Sequence, residues 1–319
     1  MDSSNKHHSV LNTSFWAFIQ MVFLQVGALV ITMYLTRMLS IAEYSLIPLL
    51  NSLVVLLVVF VGVGLPSSLA RFLAAKDSKT YQKHVLKIAI AGGLPWMIFA
   101  VICVFMIFPL IVEFLGKPDL LQLQWVFMFI LILELFRIFL EKICHGTGNF
   151  RISATFSGWA SLSILIVTIP ALSINSTVLM ALSAKIIALL IPSIRAALSL
   201  KKALSGEAFL PLMGQPTSAE IIRYGLPLAI ISLSGFGFIH MDIIFLAYYM
   251  DISAVGLYSV GVLLLIKLVA LSTVIGFGVS PLYAKRNQGG IKNDYYAFAL
   301  KAVLIFAIPV AIFLGIEGG

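Results

Sequence analysis

Nine long apolar runs, separated by short polar segments, restrict the fold of this chain more than any other feature of its sequence. A helix that spans a bilayer needs about 20 apolar residues. Backbone groups in lipid must find hydrogen-bond partners within their own segment, so each run is predicted to be a helix. The predicted spans are 13–34, 46–69, 88–114, 121–139, 154–172, 177–198, 221–249, 254–283 and 295–314. The sequence therefore predicts an all-α, polytopic membrane protein with about nine transmembrane helices.

The composition agrees with a membrane protein and excludes several other classes. Hydrophobic residues make up 61% of the chain and charged residues 11%, whereas about a quarter of the residues in a soluble domain are charged. The net charge of +8 is spread over short gaps between apolar runs and forms no continuous face, so no nucleic-acid partner is expected. Because Cys103 and Cys144 are the two cysteines of the sequence, neither a disulfide framework nor a CxxC metal site is expected.

The basic residues indicate the orientation of the chain. If the N-terminus is cytoplasmic, most of the 21 lysines and arginines fall on inner segments, and outer segments carry Arg37 and Lys117. Cytoplasmic loops of membrane proteins are enriched in lysine and arginine. We therefore predict a multi-pass protein with a cytoplasmic N-terminus.

An internal repeat is suggested by an ungapped comparison of the chain with itself. The matches are Tyr34 with Tyr248, Tyr44-Ser45 with Tyr258-Ser259, Gly62-x-Gly64 with Gly276-x-Gly278, and Ala70-Arg71 with Ala284-Lys285. Hydrophobic periodicity does not explain why two glycines and a following cation recur at the same place. The pattern predicts two parallel halves, related by an axis along the membrane normal.

The repeat divides the chain into three parts. Residues 1–200 are predicted to form an N-terminal six-helix bundle, 201–220 a cytoplasmic linker, and 221–319 an incomplete C-terminal bundle of three helices. A second half as large as the first would extend well beyond residue 319. We therefore expect a fragment or a shortened product of a longer gene.

Two stretches of sequence carry a family resemblance. The stretch from 34 to 44, YLTRMLSIAEY, is followed by GVGLPSSLAR at 62–71, and a second stretch runs from YGLP at 224–227 to VGLYS at 255–259. They resemble the polysaccharide biosynthesis and export family, the O-antigen type flippases of the multidrug, oligosaccharidyl-lipid and polysaccharide exporter superfamily. Ser40 and Ser45 depart from the family pattern, in which glycine is common.

The resemblance implies both an architecture and a function. Two six-helix bundles would surround a central cavity, open alternately to each side and lined by helices one, two, seven and eight. The passenger would be a polyprenyl-pyrophosphate-linked glycan that crosses the bacterial inner membrane. The expected partners are this lipid-linked glycan, the bilayer and the polysaccharide polymerase machinery. No cofactor is expected, and coupling to H⁺ or Na⁺ is left open.

Charged residues at membrane depth are the first candidates for function, because insertion of each costs about 2.5–3.5 kcal/mol. Lys267, near the middle of the eighth predicted helix, is a candidate to bind pyrophosphate. Asp242 could pair with Lys267, take up a proton or sodium ion, or make a structural contact between helices. Lys185 is expected to face protein and not lipid. His240 is interpreted as a core or interfacial histidine, on a different helical face from Asp242.

For the other charged and small residues, both a functional and a structural interpretation are open. Glu134, Arg137 and Glu141 have the spacing of a ladder of neutralising charges on one helix face, with gating or cavity lining as the alternative. Arg37 and Arg71 end the first two predicted helices and suit either phosphate recognition or headgroup anchoring. Bending during alternating access or close helix packing would explain a set of small residues and prolines. That set is Gly62, Gly64 and Pro66 together with Gly276, Gly278 and Pro281.

The sequence contains no Walker, HExxH or GxSxG motif, so a transporter is predicted and not an enzyme. A multidrug and cation antiporter of the same superfamily is the first alternative, although the first predicted helix has no acidic residue. A membrane-embedded polymerase or glycosyltransferase is the second alternative, although every outer loop is short. A transport-incompetent fragment is the third.

Overall fold

The computed structural model describes residues 3–76, 78–204 and 216–262. In those ranges every regular element is a helix, and a 3-10 turn at Pro118–Leu123 precedes the fifth one. The helices are α1 (Ser3–Met38), α2 (Ile41–Gly62), α3 (Leu65–Ala74), α4 (Lys79–Leu115), α5 (Gln124–Gly146), α6 (Phe150–Ile174), α7 (Val178–Leu204), α8 (Ser218–Tyr249) and α9 (Ile252–Val262).

Six helical segments of the described chain are long and apolar enough to cross a membrane. They are Ile41–Gly62, Lys79–Leu115, Pro118–Gly146, Phe150–Ile174, Val178–Lys202 and Ser218–Gly237. Val22–Met38 and Ile252–Val262 are shorter apolar helical segments. The prediction of an all-α, multi-pass membrane protein is thereby confirmed. The predicted span 295–314 and most of 254–283 lie outside the described residues, so the number of nine helices stays a prediction.

Apolar side chains are distributed over these helices as expected for a protein in lipid. Phe108 of α4 and Phe127 of α5 are fully buried, and their rings stack with centroids 4.6 Å apart. On the outer side of α4, Phe99, Met106 and Leu110 are exposed. In water such a surface would be unfavourable, but hydrocarbon tails solvate it at no cost.

The second predicted span is not one helix, which corrects the prediction of a continuous helix over 46–69. Helix α2 ends at Gly62, and α3 begins at Leu65. Between them Val63 has φ 45° and Gly64 has φ 68°, both in the left-handed region. Two successive residues in that conformation end an α-helix. Pro66 lies in the first turn of α3, where its missing N–H group has no helical partner to lose.

This break in the chain packs directly against the backbone of α8. A Cβ atom added at Gly64 would overlap the carbonyl oxygen of Gly225, and one added at Gly225 would lie 3.0 Å from the carbonyl oxygen of Val63. Helix α8 also packs against α4. The first helix of the predicted C-terminal half thus lies against the N-terminal helices, and the division into two halves stays a prediction.

Candidate functional site

A cavity of about 380 Å³ lies among six helices of the described chain, and we call it the central cavity. Helices α1, α2, α8 and α9, which correspond to the four that the resemblance implies, all contribute to its wall, and α6 and α7 complete it. Its described lining residues include no acidic side chain, and apolar residues make up more than half of them. The polar ones are Thr32, Tyr44, Asn51, Ser52, Ser161, Thr168, Lys185, His240 and Ser259.

Lys185 of α7 brings a positive charge to the wall of the central cavity. Its Nζ atom donates a hydrogen bond to Asn51 Oδ1 on α2 at 2.9 Å. This partner is neutral, and within the described ranges Lys185 forms no salt bridge. The side chain faces protein and not lipid, as the sequence predicted. Because a charge at membrane depth is costly, an ammonium group beside a cavity with a neutral partner is a candidate to bind an anion.

The three charges on α5 form the ladder that their spacing predicted. Arg137 donates from Nη2 and Nε to the two carboxylate oxygens of Glu134, at 2.7 and 3.0 Å, and from Nη1 to Glu141 at 3.0 Å. Two parallel N–H···O bonds make the contact with Glu134 bidentate, which is the strongest arrangement for these groups. Glu134 and Arg137 bind each other and are not among the lining residues of the central cavity. A role in gating stays a prediction.

Lys185 also completes the charge balance of this ladder. It interacts electrostatically with Glu134, across the contact between α7 and α5. Two carboxylates and one guanidinium leave one negative charge on the ladder, which the ammonium group of Lys185 offsets. The cluster of these four side chains is therefore neutral as a whole, and Lys185 is its one member among the described lining residues of the central cavity.

His240 of α8 lies in the wall of the central cavity, a position that the sequence interpretation did not predict. Its Nδ1 atom is 3.3 Å from Ser52 Oγ on α2, and its ring stacks on Phe236 at 5.6 Å between centroids. A histidine offers both a donor and an acceptor when neutral. The pair of Ser52 and His240 therefore supplies hydrogen-bonding groups to the wall of the central cavity.

Asp242 of α8 has local partners in the structure. One carboxylate oxygen accepts a hydrogen bond from the Tyr258 hydroxyl of α9, and the other accepts one from the Ile243 amide at 2.8 Å. Asp242 is not among the lining residues of the central cavity. The expected pairing with Lys267 lies outside the described residues. Of the roles considered for Asp242, a polar contact between helices is the one that the described geometry contains.

The two arginines at helix ends lie away from the central cavity. Arg37 is exposed in the last turn of α1. Arg71, in the last turn of α3, places its guanidinium 4.1 Å from the centroid of the Tyr224 ring on α8. This cation–π contact joins α3 to the start of α8 and gives Arg71 a structural partner. Binding of phosphate by either arginine stays a prediction.

Of the remaining candidates, Lys267, Gly276, Gly278 and Pro281 lie outside the described residues. Gly62, Gly64 and Pro66 lie at the α2–α3 break, and movement at that point stays a prediction.

Asn51 and Ser52 line the central cavity, and the sequence analysis did not name them as candidates. Their signal is a pair of polar residues inside the otherwise apolar stretch from Leu46 to Val61. The polarity of these two residues does not show which neighbouring helix they face.

Comparison with known proteins gives one positive result. The family described as polysaccharide biosynthesis protein matches residues 10–285 of the chain. The matched range includes every residue that lines the central cavity. No curated protein and no solved structure shows a significant match to the chain.

Proposed function

Because the chain belongs to the polysaccharide biosynthesis protein family, we propose that it is a flippase for a lipid-linked oligosaccharide. The passenger is a polyprenyl-pyrophosphate-linked glycan, moved from the cytoplasmic to the outer leaflet of a bacterial inner membrane. In this proposal the chain performs no chemistry on the glycan. Its N-terminus is cytoplasmic, as the distribution of basic residues predicts.

One observation carries the proposal, which is the Lys185 ammonium group in a largely apolar cavity without acidic lining residues in the described chain. Such a wall suits an anionic ligand that also has an apolar part. A cationic drug would find no carboxylate among the described lining residues, so this observation favours the glycan lipid over the substrates of an antiporter. The volume of about 380 Å³ is within the range of ligand sites, which is about 300–1,000 Å³.

In this proposal different residues of the central cavity bind different parts of the passenger during transport. Lys185 and Asn51 replace water around the pyrophosphate, while Ser52 and His240 offer hydrogen bonds to sugar hydroxyls. The lipid tail stays in the bilayer between helices. Exposure of the cavity to the other side then requires a second conformation that binds the passenger differently.

Complementation of a bacterial strain that lacks its own O-antigen flippase tests this function. We expect the wild-type chain to restore surface glycan and Lys185→Met to lower it at least about tenfold, because a hydrogen bond to a charged group contributes about 1.5–3 kcal/mol. The matched control is Lys201→Met, which removes an exposed lysine from the last turn of the same helix. Immunoblots of membrane fractions normalise the glycan signal to the amount of protein.

A double variant shows whether Lys185→Met loses export because the passenger no longer binds or because the α5 ladder carries an uncompensated charge. Lys185→Met leaves the α5 ladder with one uncompensated negative charge, whereas Lys185→Met with Glu134→Gln is neutral again. We expect the double variant to accumulate like wild type and still fail to export glycan. Normal export by Lys185→Met would contradict the assignment of Lys185 to the binding of the passenger. Drug resistance without a glycan phenotype would favour the antiporter, and an inactive wild-type chain would favour the transport-incompetent fragment.

A further inference from the structure

Among the described residues that line the central cavity, every side-chain hydroxyl but one has a hydrogen-bond partner inside the protein. Thr32 donates to the Ala28 carbonyl at 2.8 Å, Ser161 to the Phe23 carbonyl at 3.0 Å and Ser259 to the Gly256 carbonyl at 2.9 Å. Tyr44 is hydrogen-bonded to Ser259, and Ser52 contacts His240. The exception is Thr168 of α6.

Thr168 is 2% exposed, and its Oγ1 atom has no hydrogen-bond partner among the residues that the structure describes. A hydroxyl on a helix commonly donates to the carbonyl four residues earlier, as Thr32 and Thr155 do here. An unsatisfied buried polar atom costs about 1–3 kcal/mol. Thr168 therefore bears a cost that its neighbours avoid, and a ligand in the cavity would remove it.

Thr168 lies at the same depth as Lys185. Helices α6 and α7 are consecutive and packed together, joined by the short turn after Ile174. The two residues are nearly the same number of positions from that turn, so a rise of about 1.5 Å per residue places them at nearly one level. Both line the central cavity. The hydroxyl and the ammonium group therefore belong to one layer of its wall.

Asn51 adds a further donor to this layer. Its Oδ1 atom accepts the hydrogen bond from Lys185, which leaves its Nδ2 group as the free end of the amide. In the described chain that group has no hydrogen-bond partner. The layer then contains an ammonium, an amide N–H₂ and a hydroxyl, all of which donate hydrogen bonds. A set of donors around one cation fits an oxyanion.

We propose that Lys185, Asn51 and Thr168 form an oxyanion site that binds the diphosphate headgroup of the lipid passenger. This inference rests on the proposed function for the identity of the lipid. Thr168 turns its hydroxyl into the site by a χ1 rotation, because threonine in a helix populates two χ1 states. Lys185 supplies the charge, and the other two residues fix the position of one phosphoryl group.

Equilibrium binding of radiolabelled inorganic diphosphate to the purified full chain in detergent tests the site. We expect Thr168→Val, which is nearly isosteric, to weaken binding about tenfold, and Thr168→Ser to restore it. Thr155→Val is the matched control, since Thr155 is an exposed threonine on the same helix with its own carbonyl partners. Size-exclusion profiles show whether each variant is folded.

A second ligand distinguishes a lipid headgroup from a free anion. Farnesyl diphosphate carries the same diphosphate on a short polyprenyl chain, and we expect Thr168→Val to weaken both ligands by the same factor. Equal affinities of Thr168→Val and Thr155→Val for diphosphate would overturn the site. An effect on inorganic diphosphate alone would overturn its assignment to a lipid headgroup.

The two proposals can fail separately. If the wild-type chain fails to restore surface glycan while Thr168→Val still loses diphosphate binding, the flippase function fails and the oxyanion site stands. If Lys185→Met abolishes export while Thr168→Val binds diphosphate normally, the flippase function stands and the three-residue site is wrong.

Discussion

The central cavity and a second cavity differ little in size and greatly in chemistry. The second, which we call the break cavity, has a volume of about 320 Å³ and lies beside the α2–α3 break. Its wall contains no charged residue in the described chain, and Trp96 and Leu226 at its edge are each 49% exposed. Its described lining residues are Gly62, Val63, Leu65, Gly92, Gly93, Trp96, Met97, Ile222 and Leu226.

The difference shows that volume alone does not identify a binding site in a membrane protein. Small residues at the break cavity leave space that lipid tails can fill without any specific contact. The central cavity instead is lined by the Lys185 ammonium group and by a hydroxyl that has no partner among the described residues, and both can donate hydrogen bonds to a ligand. We therefore expect changes at the break cavity to act on stability and changes at the central cavity to act on transport.

The largest expected effect is that of Gly64→Ala, beside the break cavity. The new Cβ atom would overlap the Gly225 carbonyl oxygen, and the backbone at φ 68° disfavours any side chain. We expect a destabilisation of more than about 3 kcal/mol, seen as loss of the folded peak in size exclusion after heating.

Gly116→Ala is the matched control for this prediction. Gly116 has a similar φ of 65°, but no atom lies within 4 Å of an added Cβ atom. It should lose only the strain of the left-handed backbone, about 1–2 kcal/mol. Equal melting temperatures for the two variants would show that the contact between Gly64 and Gly225 contributes nothing to stability.

An intermediate effect is expected when each cavity is partly filled. Ala181→Leu enlarges a residue in the wall of the central cavity, and Leu226→Phe does the same at the break cavity. Because space for one methylene can change ligand affinity by about tenfold or more, we expect Ala181→Leu to reduce glycan export by at least that factor. Leu226→Phe should change export by less than about twofold, as for most exposed positions. An equal loss of export in both variants would make the break cavity part of the transport path.

The smallest expected effect concerns α9, a helix that lines the central cavity and not the break cavity. Asp251 precedes α9, and its carboxylate accepts a hydrogen bond from the Ser253 amide at 3.2 Å. This bond, with others from the same turn, holds the pKa of Asp251 below its ordinary value. The stabilisation is therefore present at neutral pH and is lost as the pH falls through that lowered pKa.

We expect Asp251→Ala to lower the melting temperature slightly at neutral pH, with a difference from wild type that disappears in acid. Asp119→Ala, at an exposed aspartate in the 3-10 turn, is the control for loss of a negative charge from a loop. A difference that stays constant from neutral to acidic pH would show that the carboxylate does not cap α9.

Several features of the fold could be predicted from short stretches of sequence. Helices α4 to α8 contain or closely match predicted spans, because the apolar content of a run decides whether it enters lipid. The ladder of Glu134, Arg137 and Glu141 was also predictable, because spacings of three and four place side chains on one helix face. The resemblance in two short stretches identified the family that matches residues 10–285.

Other features could not be predicted because they depend on contacts between distant segments. Leu46 to Leu69 is mostly apolar, in the manner of one helix. The left-handed conformation of Val63 and Gly64 occurs where this segment packs against Gly225 of the distant α8. The sequence of α8 alone also could not show whether His240 lies in the core or lines a cavity. Its place in the cavity depends on how α8 is rotated about its own axis.

Amino-acid order was sufficient to establish a helical, multi-pass membrane protein with neutralised charges on α5, since both properties follow from composition and from neighbours within one turn. The contact of Lys185 with Asn51 and the unpaired hydroxyl of Thr168 required the folded chain. Their partners, or lack of partners, depend on which faces of separate helices meet. Hydrophobicity in lipid does not specify those faces, because the bilayer solvates every apolar side of a helix equally well.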